Sequence, residues 1–253
     1  NRGYAANLLN KNEIKSLEPN LKDVPEAAIF TPLEGAAEAD QVALTMLRKL
    51  TDEGGKVITG CTVEGLNFKK GCVSGVQTNI GEMSCDIVAL ATGAAAEKRL
   101  FGCEWKLPMQ NKNGLIVQTS PVSHLINHVL MTNDVHFKQN LDGTLTAGEI
   151  FSGDIEENIV ALDLAADVLT RISKKLNTST NFIPTNIKIG TRPVPIDGFP
   201  VVGNIEGNKG VFVAVMHSGV TLAPLIGQLL ASEMLKTSKS PLLESFRPSR
   251  FVN

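Results

Sequence analysis

Four stretches of this chain carry residue types that do chemistry at usable spacings. The first is Arg192, inside the run Gly190-x-Arg192-Pro193-x-Pro195-x-Asp197-Gly198-x-Pro200-x-x-Gly203. Prolines fix φ and stiffen the backbone around this arginine. A guanidinium on a stiff backbone suits two-point capture of a carboxylate. It suits an ion pair with Asp197 equally well. The second is the loop His217-Ser218-Gly219-Val220-Thr221, between an apolar run and a helix-like run. The N-terminus of a helix presents free N–H groups and the positive end of its dipole, so anions and electron-rich carbonyls bind there. An ordinary strand-to-helix turn looks the same. The third is Ala91-Thr92-Gly93-Ala94, where small side chains let a ligand approach the backbone or simply let a helix pack on a sheet. The fourth is the set of four histidines, His124, His128, His136 and His217. His124 and His128 are four apart but fall in loop and strand, so no zinc helix is expected. No nucleophile elbow, Walker loop or deaminase signature occurs.

The elements that must hold these residues follow from periodicity and breakers. A short helix is expected over 8–19 and an extended stretch from Pro25 to Pro32. After Glu34-Gly35 comes a helix with Val42, Leu44, Met46, Leu47 and Leu50 on its apolar side, stopped by Gly54-Gly55. A strand at 56–59 follows. Then comes a β-meander of 62–68, 72–78 and 82–90, whose last run lacks alternation and reads as covered on both faces. Residues 114–119, 128–132, 136–139 and 144–148 read as an antiparallel sheet, followed by a helix over 156–176. The end reads as strands at 187–192 and 211–215 and a helix over 220–236. Pro224 is read as early enough in that helix to cost little. Both Arg192 and the 217–221 loop therefore stand at strand ends.

Composition limits what these sites can serve. The chain has 253 residues, 24 Lys plus Arg and 26 Asp plus Glu, for a net charge of −2. That excludes a strongly basic nucleic-acid or membrane-surface protein. Hydrophobic residues make up 43% and charged residues 20%, so the bulk is not disordered. With one Trp and one Tyr, the core must be aliphatic. Cys61, Cys72, Cys85 and Cys103 show no zinc-ligand spacing and read as free thiols of a reducing cytoplasm. Residues 211–232 carry no charge and are long enough to span a bilayer, but they divide into strand, loop and helix.

Taken together, the Gly190–Gly203 run and the later His217-Ser218-Gly219-Val220-Thr221-Leu222-Ala223-Pro224-x-x-Gly227 resemble the C-terminal signature of the D-amino-acid oxidase superfamily of FAD-dependent oxidoreductases. Glu34-Gly35, the glycine-ended helix, the meander and Ala91-Thr92-Gly93 come in that family's order, and the resemblance covers nearly the whole chain. It implies a mixed α/β fold in two parts: an FAD-binding part from 36–98 and 186–253, and an antiparallel-sheet substrate part from 1–35 and 99–185. It implies FAD as cofactor and a small amine or amino acid as substrate, oxidised by hydride transfer to flavin N5 and then hydrolysed as the imine. Carried over residue by residue, Val63, Ala91, Thr92 and Gly93 face the adenosine and pyrophosphate. Gly190 and Pro193 are carried over as cofactor-binding, His217, Ser218, Gly219, Val220 and Thr221 line the flavin pyrimidine edge, and His217 is also a catalytic candidate. Arg192 holds the substrate carboxylate, and His136 is a candidate for the substrate face. The family's opening βαβ unit with its GxGxxG loop is not matched, so the chain is expected to lack that unit. A non-catalytic subunit built on the same fold is the alternative, and a redox partner, a peripheral membrane partner or a homo-oligomer stays open.

Overall fold

The structure is a computed structural model that describes residues 4–97, 105–110, 112–150 and 161–251. The chain divides into two units, Asn1–Glu38 with Asn113–Gly190 and Ala39–Lys112 with Thr191–Asn253.

The first unit opens with β1 (Asn7–Asn10), antiparallel to β2 (Ala27–Phe30), and α1 (Lys11–Leu17). The single helix expected over 8–19 is therefore a strand followed by a shorter helix. The reason is Asn10, whose side chain accepts from the N–H groups of Asn12 and Glu13 while Glu13 reaches back to the Asn10 N–H. That capping box starts the helix at Lys11. The main sheet contains β7 (Lys112–Thr119), β8 (Leu130–Met131), β9 (His136–Gln139), β10 (Leu145–Ile150) and β11 (Pro184–Arg192), in the order β11-β7-β10-β9-β8. The antiparallel pairing of β7, β10, β9 and β8 is the expected one. Leu115, Val117, Phe137, Leu145 and Ala147 alternate onto one face and pack with Ala165, Val168, Leu169 and Ile172 of α3 (Ala161–Lys175). Residues 151–160, where the expected helix begins, lie outside the described residues. Ile116, Gln118, His136, Lys138, Thr146 and Gly148 alternate onto the opposite face. Glu18 is buried, but both its oxygens accept from the Asn127 N–H at 3.1 Å, and His128 Nδ1 lies 2.7 Å away, so the charge is not stranded.

The second unit holds the meander of β3 (Val63–Lys69), β4 (Cys72–Thr78) and β5 (Gly81–Ser84). The run expected as one strand over 82–90 splits. β5 stays in the meander, and β6 (Val88–Leu90) joins a second sheet with β12 (Val201–Asn204) and β13 (Val211–Val215) in the order β12-β13-β6. Nor is β6 covered on both faces among the described residues, because Ala89 is exposed. The 56–59 segment is not a strand either, having no ladder partner among the described residues. Leu90, Val201, Val211, Val213 and Val215 pack with Trp105 and Leu107, while Val202 and Met216 pack with Ile226 and Leu230 of α4 (Gly219–Met234). The amphipathic helix α2 (Ala39–Asp52) forms with its apolar stripe as expected, yet none of its residues is buried. Cys61, Cys72 and Cys85 are free thiols, and Cys103 lies outside the described residues. Among the described residues, no helix is long and apolar enough to cross a membrane.

Candidate functional site

The second sheet brings two of the chemistry-bearing stretches together. β6 and β13 run parallel, with Leu90 opposite Val213. Ala91-Thr92-Gly93 therefore leaves the C-terminal end of one strand, and Met216-His217-Ser218 leaves the same end of its neighbour. Carboxyl ends of parallel strands are where open α/β sheets bind ligands. After β6 the chain turns into a 3-10 helix (Gly93–Glu97), with Gly93 at φ 58°. Ala91 and Thr92 are exposed and Gly93 is half-buried.

After β13 the chain enters α4 at Ser218. Ser218 makes no side-chain cap bond, and no acidic residue sits in the first turn. The first N–H groups of a helix have no acceptor of their own, so those of Gly219, Val220 and Thr221 are available to a ligand. A Cβ built on Gly93 or on Gly219 meets nothing within 4 Å. His217, Ser218, Val220 and Thr221 are exposed and Gly219 is half-buried; His217 Nδ1 lies 3.3 Å from the Ser218 hydroxyl. Uncapped donors, small residues and open space fit a cofactor's anionic or carbonyl edge. Pro224 corrects one expectation. It stands inside the helix, where it removes a bond to the carbonyl of Val220 rather than an N–H that had no partner.

Arg192 is the last residue of β11 and is half-buried; Gly190 is exposed two residues earlier, and Pro193 follows half-buried. The stretch after it is fastened closely. The Gln110 N–H donates to the Val194 carbonyl at 2.8 Å, the Ile196 N–H to Pro108 at 3.0 Å, and the Gln110 side chain to the Ile196 carbonyl at 2.9 Å. Asp197, considered above as a partner for Arg192, is paired with Arg250 instead, through contacts of 2.7 and 3.2 Å. The Arg250 fork is the main cause that holds the Asp197 carboxyl below its ordinary value, against a smaller upward push from burial. Sequence reasoning missed Arg250. Its only signal is the spacing of Arg247 and Arg250 in the tail, which nothing local connects to Asp197.

Val63 begins β3 in the meander, a different sheet from the β6 and β13 pair, and is half-buried. His136 begins β9 in the first unit, opposite Gly148, with its Nδ1 buried and without a hydrogen-bond partner among the described residues. It lines a cleft with Asn133, Asp134, Glu149 and Arg171, where Arg171 is ion-paired with Glu149 and with Asp167.

Residues 1–233 match the family model described as FAD dependent oxidoreductase. The chain belongs to the FAD dependent oxidoreductase family. Among family relatives, it is 26% identical over 249 residues to the bifunctional protein ThiO/ThiG of Trichormus variabilis, an alignment covering 96% of this chain and 37% of that protein. It is 22% identical over 254 residues to a D-amino-acid oxidase of Bradyrhizobium diazoefficiens, covering 96% of this chain and 59% of that one. The crystal structure of glycine oxidase from Geobacillus kaustophilus superposes with a TM-score of 0.87 at 21% identity, covering 99% of this chain and 68% of that one. The mixed α/β fold with antiparallel sheets is thus that of a family of flavoenzymes. The chain spans between about a third and three fifths of the length of these two curated relatives.

Proposed function

We propose that the protein binds FAD across the ends of β6 and β13 and oxidises a small amine or amino acid. The observation that carries this reading is the pair of parallel strands ending side by side, one in a small-residue turn and the other in an uncapped helix N-terminus. Ala91, Thr92 and Gly93, with Val63 from the meander, lie toward the adenosine and pyrophosphate. The 217–221 loop lines the flavin, Pro193 is a further cofactor contact, and the N-terminal dipole of α4 favours negative charge at the pyrimidine edge. The chemistry that a bound FAD supplies is acceptance of a hydride at N5 from the α carbon of the amine. Arg192 holds the substrate carboxylate and so orients that carbon. We assign His136, in the cleft that it lines with Glu149 and Arg171, to the substrate side.

In this reading the second unit is the FAD part and the first is the substrate part. Two further features support a βαβ nucleotide-binding unit elsewhere in the whole protein. The apolar stripe of α2 (Val42, Met46, Leu47 and Leu50) is exposed, and β6 pairs only with β13 among the described residues. One more parallel strand and its helix would cover both.

The test uses the whole protein, reconstituted with FAD and passed through gel filtration. Retained flavin absorbance that bleaches anaerobically on adding glycine or D-alanine is the expected result. Failure to retain FAD overturns the cofactor site. Retained flavin that no amine or amino acid reduces overturns the reaction.

A further inference from the structure

We propose that the C-terminal tail is a clasp that positions Arg192, with Arg250 as the positioning residue. The inference rests on the reading of Arg192 as the carboxylate holder. The tail consists of two 3-10 turns, Pro241–Phe246 and Pro248–Phe251. Arg250 sits in the second and spends its guanidinium on one short turn. Nε donates to one Asp197 oxygen at 2.7 Å, and Nη2 donates to the other at 3.2 Å and to the Phe199 carbonyl at 3.1 Å. Within that turn the Phe199 N–H donates back to Asp197 at 3.1 Å and the Gly198 N–H to the Pro195 carbonyl at 2.8 Å. The fork therefore grips both ends of the turn rather than one exposed carboxylate.

The arginine is itself held. Nη1 donates to the Arg247 carbonyl at 3.2 Å, and the guanidinium carbon lies 4.4 Å from the centre of the Phe251 ring. A planar group fixed by stacking and by four donor contacts is a rigid strut. The other side of the same segment is held by Pro108 and Gln110, as described above. Arg192-Pro193 enters this segment directly, with only the buried Val194 and Pro195 and the exposed Ile196 between Pro193 and Asp197. Three residues before Arg250, Arg247 grips Glu233 with two bonds of 2.7 Å at the far end of α4, the helix whose near end is the 217–221 loop. One tail thus fastens the segment after Arg192 and the helix behind the proposed flavin loop. A solvated surface ion pair would need neither the stacked ring nor the bond to the Phe199 carbonyl.

A positioning residue acts only through the group it positions, and that separates this role from simple stability. The experiment uses the whole, FAD-loaded protein with Arg250→Met, Arg250→Lys, Asp197→Asn, Arg192→Leu and the double variant Arg192→Leu/Arg250→Met. Binding of acetate is read from the shift of flavin absorbance, with KM and kcat for an amino acid beside it and thermal melts to exclude misfolding. Arg250→Met and Asp197→Asn are expected to weaken acetate and raise KM by about tenfold, since small misplacements of a binding group are costly, with kcat within about twofold. Arg250→Lys should recover part of the loss. In the double variant, acetate should bind no more weakly than in Arg192→Leu alone. If Arg192→Leu loses acetate while Arg250→Met and Asp197→Asn keep it, the clasp is refuted and the carboxylate reading stands. If Arg192→Leu also keeps acetate, the reading of Arg192 fails and the clasp falls with it. Should Arg250→Met not fold, the nearly isosteric Asp197→Asn decides the matter.

Discussion

The two ion pairs of the C-terminal tail make a sharp energetic comparison. Arg247 and Glu233 are 13% and 8% exposed in their side chains, while Arg250 and Asp197 are 21% and 32% exposed. Glu233→Gln keeps the shape and removes the charge. The Arg247 guanidinium then keeps one neutral amide oxygen in place of two charged acceptors, beside the Ser240 carbonyl at 3.2 Å and the exposed Glu244 at 3.5 Å. Leaving one half of a nearly buried pair without its partner costs about 3 kcal/mol. Asp197→Asn removes the charge from the more exposed of the two pairs, keeps an amide oxygen for the Arg250 fork, and should cost at most about 1 kcal/mol. For a chain of this size each kcal/mol moves the melting midpoint by about 2–4 °C. Glu233→Gln should therefore melt about 6–12 °C below the parent, and Asp197→Asn within about 4 °C of it. Circular-dichroism melts of this chain at pH 7 measure both. Adding 1 M NaCl should shrink the Asp197 effect more than the Glu233 effect, because the more exposed pair is the better screened. The pH dependence has a fixed sign. Burial raises the Glu233 carboxyl, but the bonds from Arg247 and from the Ser240 N–H outweigh it, and the net shift is below the ordinary value of 4.5. A depressed carboxyl contributes stability that is full above 4.5 and is lost as pH falls through the folded value. The gap between parent and Glu233→Gln should therefore hold at pH 7 and close in acid below that point. Equal costs for the two variants, or a Glu233→Gln midpoint within about 2 °C of the parent, would refute the burial argument.

Other perturbations test other parts of the fold and site. Gly210→Ala, at φ 85°, would put a Cβ 2.7 Å from the Asp86 carbonyl oxygen and 2.7 Å from Val73, where backbone cannot yield; we expect a loss of about 3 kcal/mol, and an unchanged urea midpoint would contradict it. Leu47→Glu on α2 should shift the melt of this chain by less than about 0.5 kcal/mol, because the site is exposed, but destabilise the whole protein by about 2 kcal/mol; equal small effects in both would rule out a covering unit. Arg192→Leu in the whole, FAD-loaded protein should raise KM for amino acids by the factor expected for about 2–4 kcal/mol, and an unchanged KM would remove its carboxylate role.

Much of the fold was legible because its residues report on local physics. Alternation in 114–119 and 136–139 places Leu115, Val117 and Phe137 on one face, and the structure packs them against α3. The small-residue turn at 91–93 and the loop at 217–221 announce strand ends, although nothing local says that their strands lie parallel and adjacent. What could not be read depends on partners distant in the chain. Residues 82–90 look like one strand because no glycine or proline interrupts them, and only the pairing of β5 with β4 and of β6 with β13 splits them. Residues 56–59 have the composition of a strand but no ladder to join among the described residues.

Asp197 illustrates the same limit at the level of the site. Its nearest arginine in sequence is Arg192, and a local reading pairs the two. The structure pairs Asp197 with Arg250, 53 residues later, and that changes what the local motif means. With Arg250 bound to it, Asp197 belongs to the support of the segment rather than to the charge balance of Arg192. The motif thus reads as two parts: an arginine at the end of β11, which we propose meets ligand, and an Asp-Gly turn fastened by the tail. A single tail arginine, invisible to any local pattern, separates them.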